Sequence, residues 1–296
     1  MKRIYSLLKP AVILITLAMF SNSINSQTIP YSKGRILISS DGNEHDHDDW
    51  AATPFSLALL AAKGLQDKLV VYTFSDHIWG SNFDKPNAKK QMLTSALEGQ
   101  EMFGFDKTLF IEAVEDPAAA FSAITVEINR SSEENPLTIV AAGPMHVVGV
   151  GISNANPEKL KHVMLISHSP WNNKHSDHPT NVNEHHTGWT WKEIEAKYAP
   201  KGLTCKYIAN QNGGKGYMGM HAPMEEFDWI KTSPARDKAP YKKRSWDWLY
   251  ARQKTCIKKN KFDPSDAGMI IYLLTGIEKT NPSDAKEIME NPVIKD

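Results

Sequence analysis

Only two cysteines, Cys205 and Cys256, occur in the 296 residues, too few for a disulfide framework, although an oxidising compartment would let the two pair. Net charge is also missing, with 34 basic residues against 34 acidic ones. No overall positive field draws the chain to nucleic acid, and none is expected as a partner. The one long apolar run is Ala11–Phe20. A membrane-spanning helix needs roughly 20 such residues, so this run is too short to span a bilayer. No internal repeat is present, and the Gly-rich stretch 212–219 lacks the lysine and hydroxyl spacing of a phosphate-binding loop.

The apolar run fits an export signal. Lys2, Arg3 and Lys9 give a basic start, and small polar residues follow up to Ser26. The expectation is a signal peptide over 1–26 and a secreted or periplasmic protein with no membrane attachment after its removal. The signal holds three basic residues and no acidic one, leaving 31 basic against 34 acidic residues, a net charge of −3. About 270 residues remain, read as one α/β domain over 27–296.

Strands are expected at 35–39, 68–74, 108–111, 137–142, 162–166 and 203–208, because each is a short apolar run of the kind buried on both faces. Helices are expected between them: 49 to 62 ending at Gly64, 87–103 ending at Gly104, 117–129, one opened by Gly143-Pro144, 189–198 and 266–276. Alternation of this kind predicts a mostly parallel sheet with helices on both faces. Pro54 is acceptable if it lies in a first turn. The basic stretch 231–244 reads as solvated surface. The polar segment 167–186 is too long for an ordinary connection, a mark of a functional loop.

Residues 41–49, DGNEHDHDD, carry the strongest chemical signal. Five carboxylates and two imidazoles follow a buried strand and precede a helix, where open α/β sheets bind ligands. Carboxylates so crowded repel one another unless a cation neutralises them. Oxygen donors favour Ca2+ and imidazoles favour Zn2+. The His45-x-His47 spacing is similar to the opening of di-zinc hydrolases, but Asp49 or Trp50 stands where that motif has its last histidine.

A closer resemblance is to the inosine–uridine-type nucleoside hydrolases. The strand leading to Asp41 and then Asp48-Asp49 resembles that family's aspartate-rich turn. Residues 72–76 (YTFSD), 137–147 (LTIVAAGPMHV) and 266–273 (DAGMIIYL) resemble its later motifs in the same order. The resemblance implies a nucleoside-hydrolase-like fold, a sugar or nucleoside substrate and bound Ca2+, with Zn2+ the lesser candidate. It implies that Asp41 is both metal ligand and general base, with Asp48, Asp49, Asp266 and the Ala142 carbonyl among the metal ligands. Asp48, Asp76, Asn183 and Glu184 would bind the sugar hydroxyls. Four departures weaken the match. Ser39 replaces the first aspartate of the turn, and Met145-His146-Val147 replaces the family's LTN. The turn is about three residues longer, leaving Asp41, Glu44 and Asp46 as alternatives for the base. Ser265 stands where many members carry a leaving-group histidine. His146, His168, His185 and His186 are candidates for that role. Trp171 is the aromatic best placed to contact substrate. A carbohydrate-binding protein that has lost catalysis is the alternative function, and a homo-oligomer is compatible with either.

Overall fold

The computed structural model describes residues 29–43, 47–78, 86–174, 188–238, 242–257 and 259–293. The segment expected to be a signal peptide, Glu44, Asp46, Asn183, Glu184, His185 and His186 lie outside them.

The chain alternates strand and helix from its first element. β1 (Arg35–Ser40) leads into α1 (His47–Ala62), β2 (Leu69–Phe74), α2 (Pro86–Leu93), α3 (Gly99–Phe103), β3 (Leu109–Glu112), α4 (Pro117–Asn129), β4 (Leu137–Ala142), α5 (His146–Asn154) and β5 (Val163–Ser167). Then follow α6 (Pro170–Lys174), α7 (Trp191–Tyr198), β6 (Thr204–Tyr207), β7 (Ala222–Pro223), α8 (Trp229–Thr232), α9 (Lys243–Thr255), β8 (Lys261–Phe262), α10 (Ala267–Thr275) and α11 (Pro282–Glu290). The six expected strands are all present. They form one sheet in the order β3-β2-β1-β4-β5-β6, with every pairing parallel. β7 and β8 form a separate antiparallel ribbon.

Alternate side chains of the strands enter two apolar cores. Ile36 and Ile38 of β1 join one cluster with α1, α9, α10 and α11, and Leu37 joins the other with α4, α5 and α7. A sheet covered on both faces explains why its strands are continuous apolar runs. Local signals set the helix ends. Asp116 caps α4, accepting the Ala119 N–H at 2.9 Å, with Pro117 following. Thr190 and Glu193 form a capping box on α7, and Gly276 ends α10 in the left-handed region at φ 81°.

Three expectations change. α1 begins at His47, which places Pro54 in its interior. The 87–103 helix is interrupted by a π-helical turn over Thr94–Glu98. The basic segment runs into a real helix, α9, which buries Trp246 and Leu249. Cys205 packs on one face of the sheet and Cys256 in the core of the other, and both are free thiols. Among the described residues, no helix is long and apolar enough to cross a membrane.

Candidate functional site

β1 and β4 are neighbours at the centre of the sheet, yet the helices that follow them pack on opposite faces. Such a switch point opens a crevice beyond the strand ends, where open α/β sheets bind ligands. Asp41 sits there, directly after β1. The register pairs Ser40 with Ala142, and the Asp41 N–H continues the ladder by donating to the Ala142 carbonyl at 2.9 Å. One lone pair of that carbonyl is therefore engaged, and only the other is left for a cation. Gly143 follows at φ 148°, and a Cβ there would lie 2.9 Å from Asp41 Cγ. Only glycine lets the Asp41 carboxyl stand this close to the end of β4.

Asp49 enters from the first turn of α1 and Asp266 from the N-terminal end of α10. A carboxylate oxygen from each of Asp41, Asp49 and Asp266 lies within 4.8 Å of the others. At an effective dielectric constant of 20, a like-charge pair at that distance costs about 3–4 kcal/mol. Three such pairs approach the net stability of a typical domain, about 5–15 kcal/mol. The three cannot all be ionised without a counter-charge.

The protonation pattern shows how the polypeptide meets this alone. Burial opposes ionisation of Asp41, yet hydrogen bonds from Asp49 and His77, with the His77 charge, hold its carboxyl below the usual range. Burial pushes Asp49 well above that range, and the charges of Asp41, Asp266 and Asp48 add to the push. Asp48 is raised in the same way, by burial and then by Asp266, Asp41 and Asp263. One proton held between Asp41 and Asp49 does what a cation would do better.

Each of the three carboxylates has a dedicated partner. Ser40 Oγ donates to Asp49 Oδ1 at 2.7 Å. His77 Nε2 lies 3.4 Å from Asp41 Oδ2, and its main chain is clamped by both ends of the Asn43 amide. The third partner is His168, which follows β5 and is 1% exposed. Its Nδ1 accepts the Gln211 backbone N–H at 3.1 Å, so the ring proton is on Nε2, 2.6 Å from Asp266 Oδ1. A histidine fixed in one tautomer by the backbone and aimed at a carboxylate orients that carboxylate rather than binding metal itself.

The group fits a hard divalent cation. Its donors are all oxygens, they converge, and a cavity of about 280 Å³ beside them leaves room for water and substrate oxygens. Zn2+ fits less well, because no imidazole belongs to the group among the described residues. His47 is outside the group, with its ring 4.5 Å from that of Trp50.

Asp41, Asp266, Asp48 and Trp171 all line this cavity, together with His168 and Asn212. Asp48 is on its wall but outside the group of three. Trp171 is 36% exposed, and its ring lies 5.2 Å from that of His77. Asp76 does not line the cavity. It is buried, one oxygen accepting from the Ser39 and Thr73 hydroxyls, the other without a described partner. His146 is elsewhere: it accepts the Trp189 N–H at 3.3 Å and lines a different cavity with Trp189 and Glu193. His77, Gln211 and Gly143 were not expected at the site. The signal for His77 was its place just after a strand end; nothing in the sequence marks Gln211.

No family model matches the chain. It is 29% identical over 273 residues to "Uncharacterized protein P22" of Formosa agariphila, a match covering 87% of this chain and 91% of that protein.

Proposed function

We propose that this protein is a cation-dependent hydrolase of a glycosidic bond, acting on a nucleoside-like or related sugar substrate. The observation that carries the reading is the convergence of Asp41, Asp49 and Asp266, from opposite ends of the chain, within 4.8 Å at the sheet's switch point. Asp41, Asp49 and Asp266 would hold a calcium ion, which supplies a Lewis acid that makes water more acidic and orients sugar hydroxyls.

The remaining work belongs to the side chains. Asp41 is the carboxyl kept ionised, so its Oδ2 takes the proton of the attacking water as that water adds to the anomeric carbon. His77, 3.4 Å from that oxygen, stabilises the carboxylate before transfer. The bond to the aglycone breaks through an oxocarbenium-like state, with its electron pair leaving on the aglycone. His168 holds Asp266 in place, and Trp171 offers a flat apolar face at the cavity for a sugar or base.

The test combines metal analysis with turnover. Calcium should raise the unfolding temperature of the chelated protein, and inosine, uridine or a member of a glycoside panel should release free sugar only when calcium is present. Asp41→Asn should lower turnover by a factor of about 10²–10⁴. Unchanged hydrolysis by that variant, or by the chelated protein, would sink the proposal. Binding of the panel without turnover would leave a carbohydrate-binding protein instead.

A further inference from the structure

Asp48 forms part of the wall of the acidic cavity. That residue is also part of the wall of a second cavity, of about 490 Å³, whose other walls include His47, His221, Lys259, Lys261 and Asp263. The small ribbon builds this second wall. β8 pairs Phe262 with Ala222 and Lys261 with Pro223. Phe262 is anchored in the core at 0% exposure, and alternation along the strand leaves Lys261 exposed on the other side. Lys259 and Asn260 precede it at φ 52° and 59°, two successive non-glycine residues in the left-handed region. Residues with a Cβ rarely adopt that conformation without a reason in their surroundings.

The two cavities differ in the balance of charge: the first is lined by carboxylates with no lysine or arginine, whereas the second adds two lysines to its two carboxylates. Around the first are Asp41, Asp48 and Asp266. In the second, Asp48 is shared with the first cavity and Asp263 is matched by His221, whose Nδ1 lies 3.1 Å from its Oδ2. Lys259 and Lys261 have no ion-pair partner among the described residues. Size points the same way. Ligand pockets commonly occupy about 300–1,000 Å³, so the acidic cavity at about 280 Å³ is small alone, whereas the two together are ample.

We propose that the second cavity is a subsite for an anionic substituent of the substrate, a carboxylate, sulfate ester or phosphate ester, held by Lys259 and Lys261. The inference rests on the hydrolase reading for the first cavity and adds the substrate class: an acidic sugar derivative. Its anionic end is attracted by the two lysines, which orients the molecule across Asp48. The hydroxyl-bearing end is then left beside Asp41, Asp49 and Asp266.

The test is calorimetric binding to the full-length mature chain with calcium present. The probes are glucose, glucuronic acid, glucose 6-sulfate and glucose 6-phosphate, with inorganic sulfate and phosphate alone alongside. At least one acidic sugar should bind roughly tenfold or more tightly than glucose, because ionic hydrogen bonds are the stronger kind. Which acidic sugar binds best identifies the substituent. The double variant Lys259→Ala/Lys261→Ala should lose the preference and the double Lys→Arg variant should keep it, with unchanged unfolding temperatures confirming that both fold. Equal binding of glucose and its acidic counterparts, a preference that survives the alanine variant, or no sugar binding at all overturns the proposal. The readout needs no turnover, so its failure is distinct from a failure of the Asp41→Asn experiment.

Discussion

At the scale of single residues, the site is held by carboxyl groups kept out of water, and their protonation sets a pH dependence. Burial pushes the Asp76 carboxyl up to about 8, against the pull of the Ser39 and Thr73 hydroxyls. Below the ordinary value of 3.8 the group is protonated whether the chain is folded or not. Between that value and about 8 the unfolded chain releases the proton and the folded chain keeps it, so each rise in pH favours unfolding. The chelated protein should therefore lose stability across this interval, as read by urea unfolding at a series of pH values. Asp76→Asn should reduce the slope, and an unaltered slope would mean that the folded protein carries Asp76 ionised. Asp41, Asp49 and Asp266 were legible in the sequence because each adjoins a strand end or a helix start. Their partners were not. His77 reaches Asp41 from beyond the end of the neighbouring strand β2, and His168 reaches Asp266 at the start of α10 from the end of β5. Such proximity depends on tertiary arrangement, which one sequence does not display.

At the scale of elements, α1 carries a repair that its own sequence does not reveal. Pro54 has no N–H to give the Trp50 carbonyl, the partner four residues back. Ser95 Oγ donates to that carbonyl instead, at 2.5 Å, from within the π-helical turn. The same hydroxyl accepts from Arg252 of α9 at 2.8 Å, tying three helices together. Ser95→Ala should cost about 1–3 kcal/mol in urea unfolding, the usual cost of a buried group left unpaired. In a Pro54→Ala background the helix regains its own donor, so the same substitution should cost about 1 kcal/mol less. Equal costs in the two backgrounds would show that the hydroxyl does not serve the proline gap. Strands and most helices were readable because their periods and caps are local. α9 was hidden by its charges: Lys243, Arg244, Arg252 and Lys254 mask the buried Trp246 and Leu249. α11 was overlooked although Asn281, Pro282 and Asp284 spell out its start.

At the scale of the whole molecule, the sheet is a partition. Cys205 and Cys256 lie on its two sides, and a disulfide needs Cα atoms within about 7 Å. The purified protein should show two titratable thiols once unfolded, and its unfolding midpoint should not move with reductant. Loss of the thiols, or a midpoint that falls with reductant, would contradict the placement of these strands and helices. Burial raises both thiols to about 11, which keeps them protonated and unreactive at neutral pH. The parallel class of the sheet was foreseeable from its uniformly apolar strands. The order of the strands, and with it the position of the switch point, came only from the fold.

The separation of Asp266 from its companions along the chain also has a consequence for birth on the ribosome. Synthesis delivers Asp41 and Asp49 more than 200 residues before Asp266. A nascent chain lacking α10 holds two of the three carboxylates and not the Asp266 that His168 braces. Domains generally fold as units, so the three carboxylates come together only after α10 has been made.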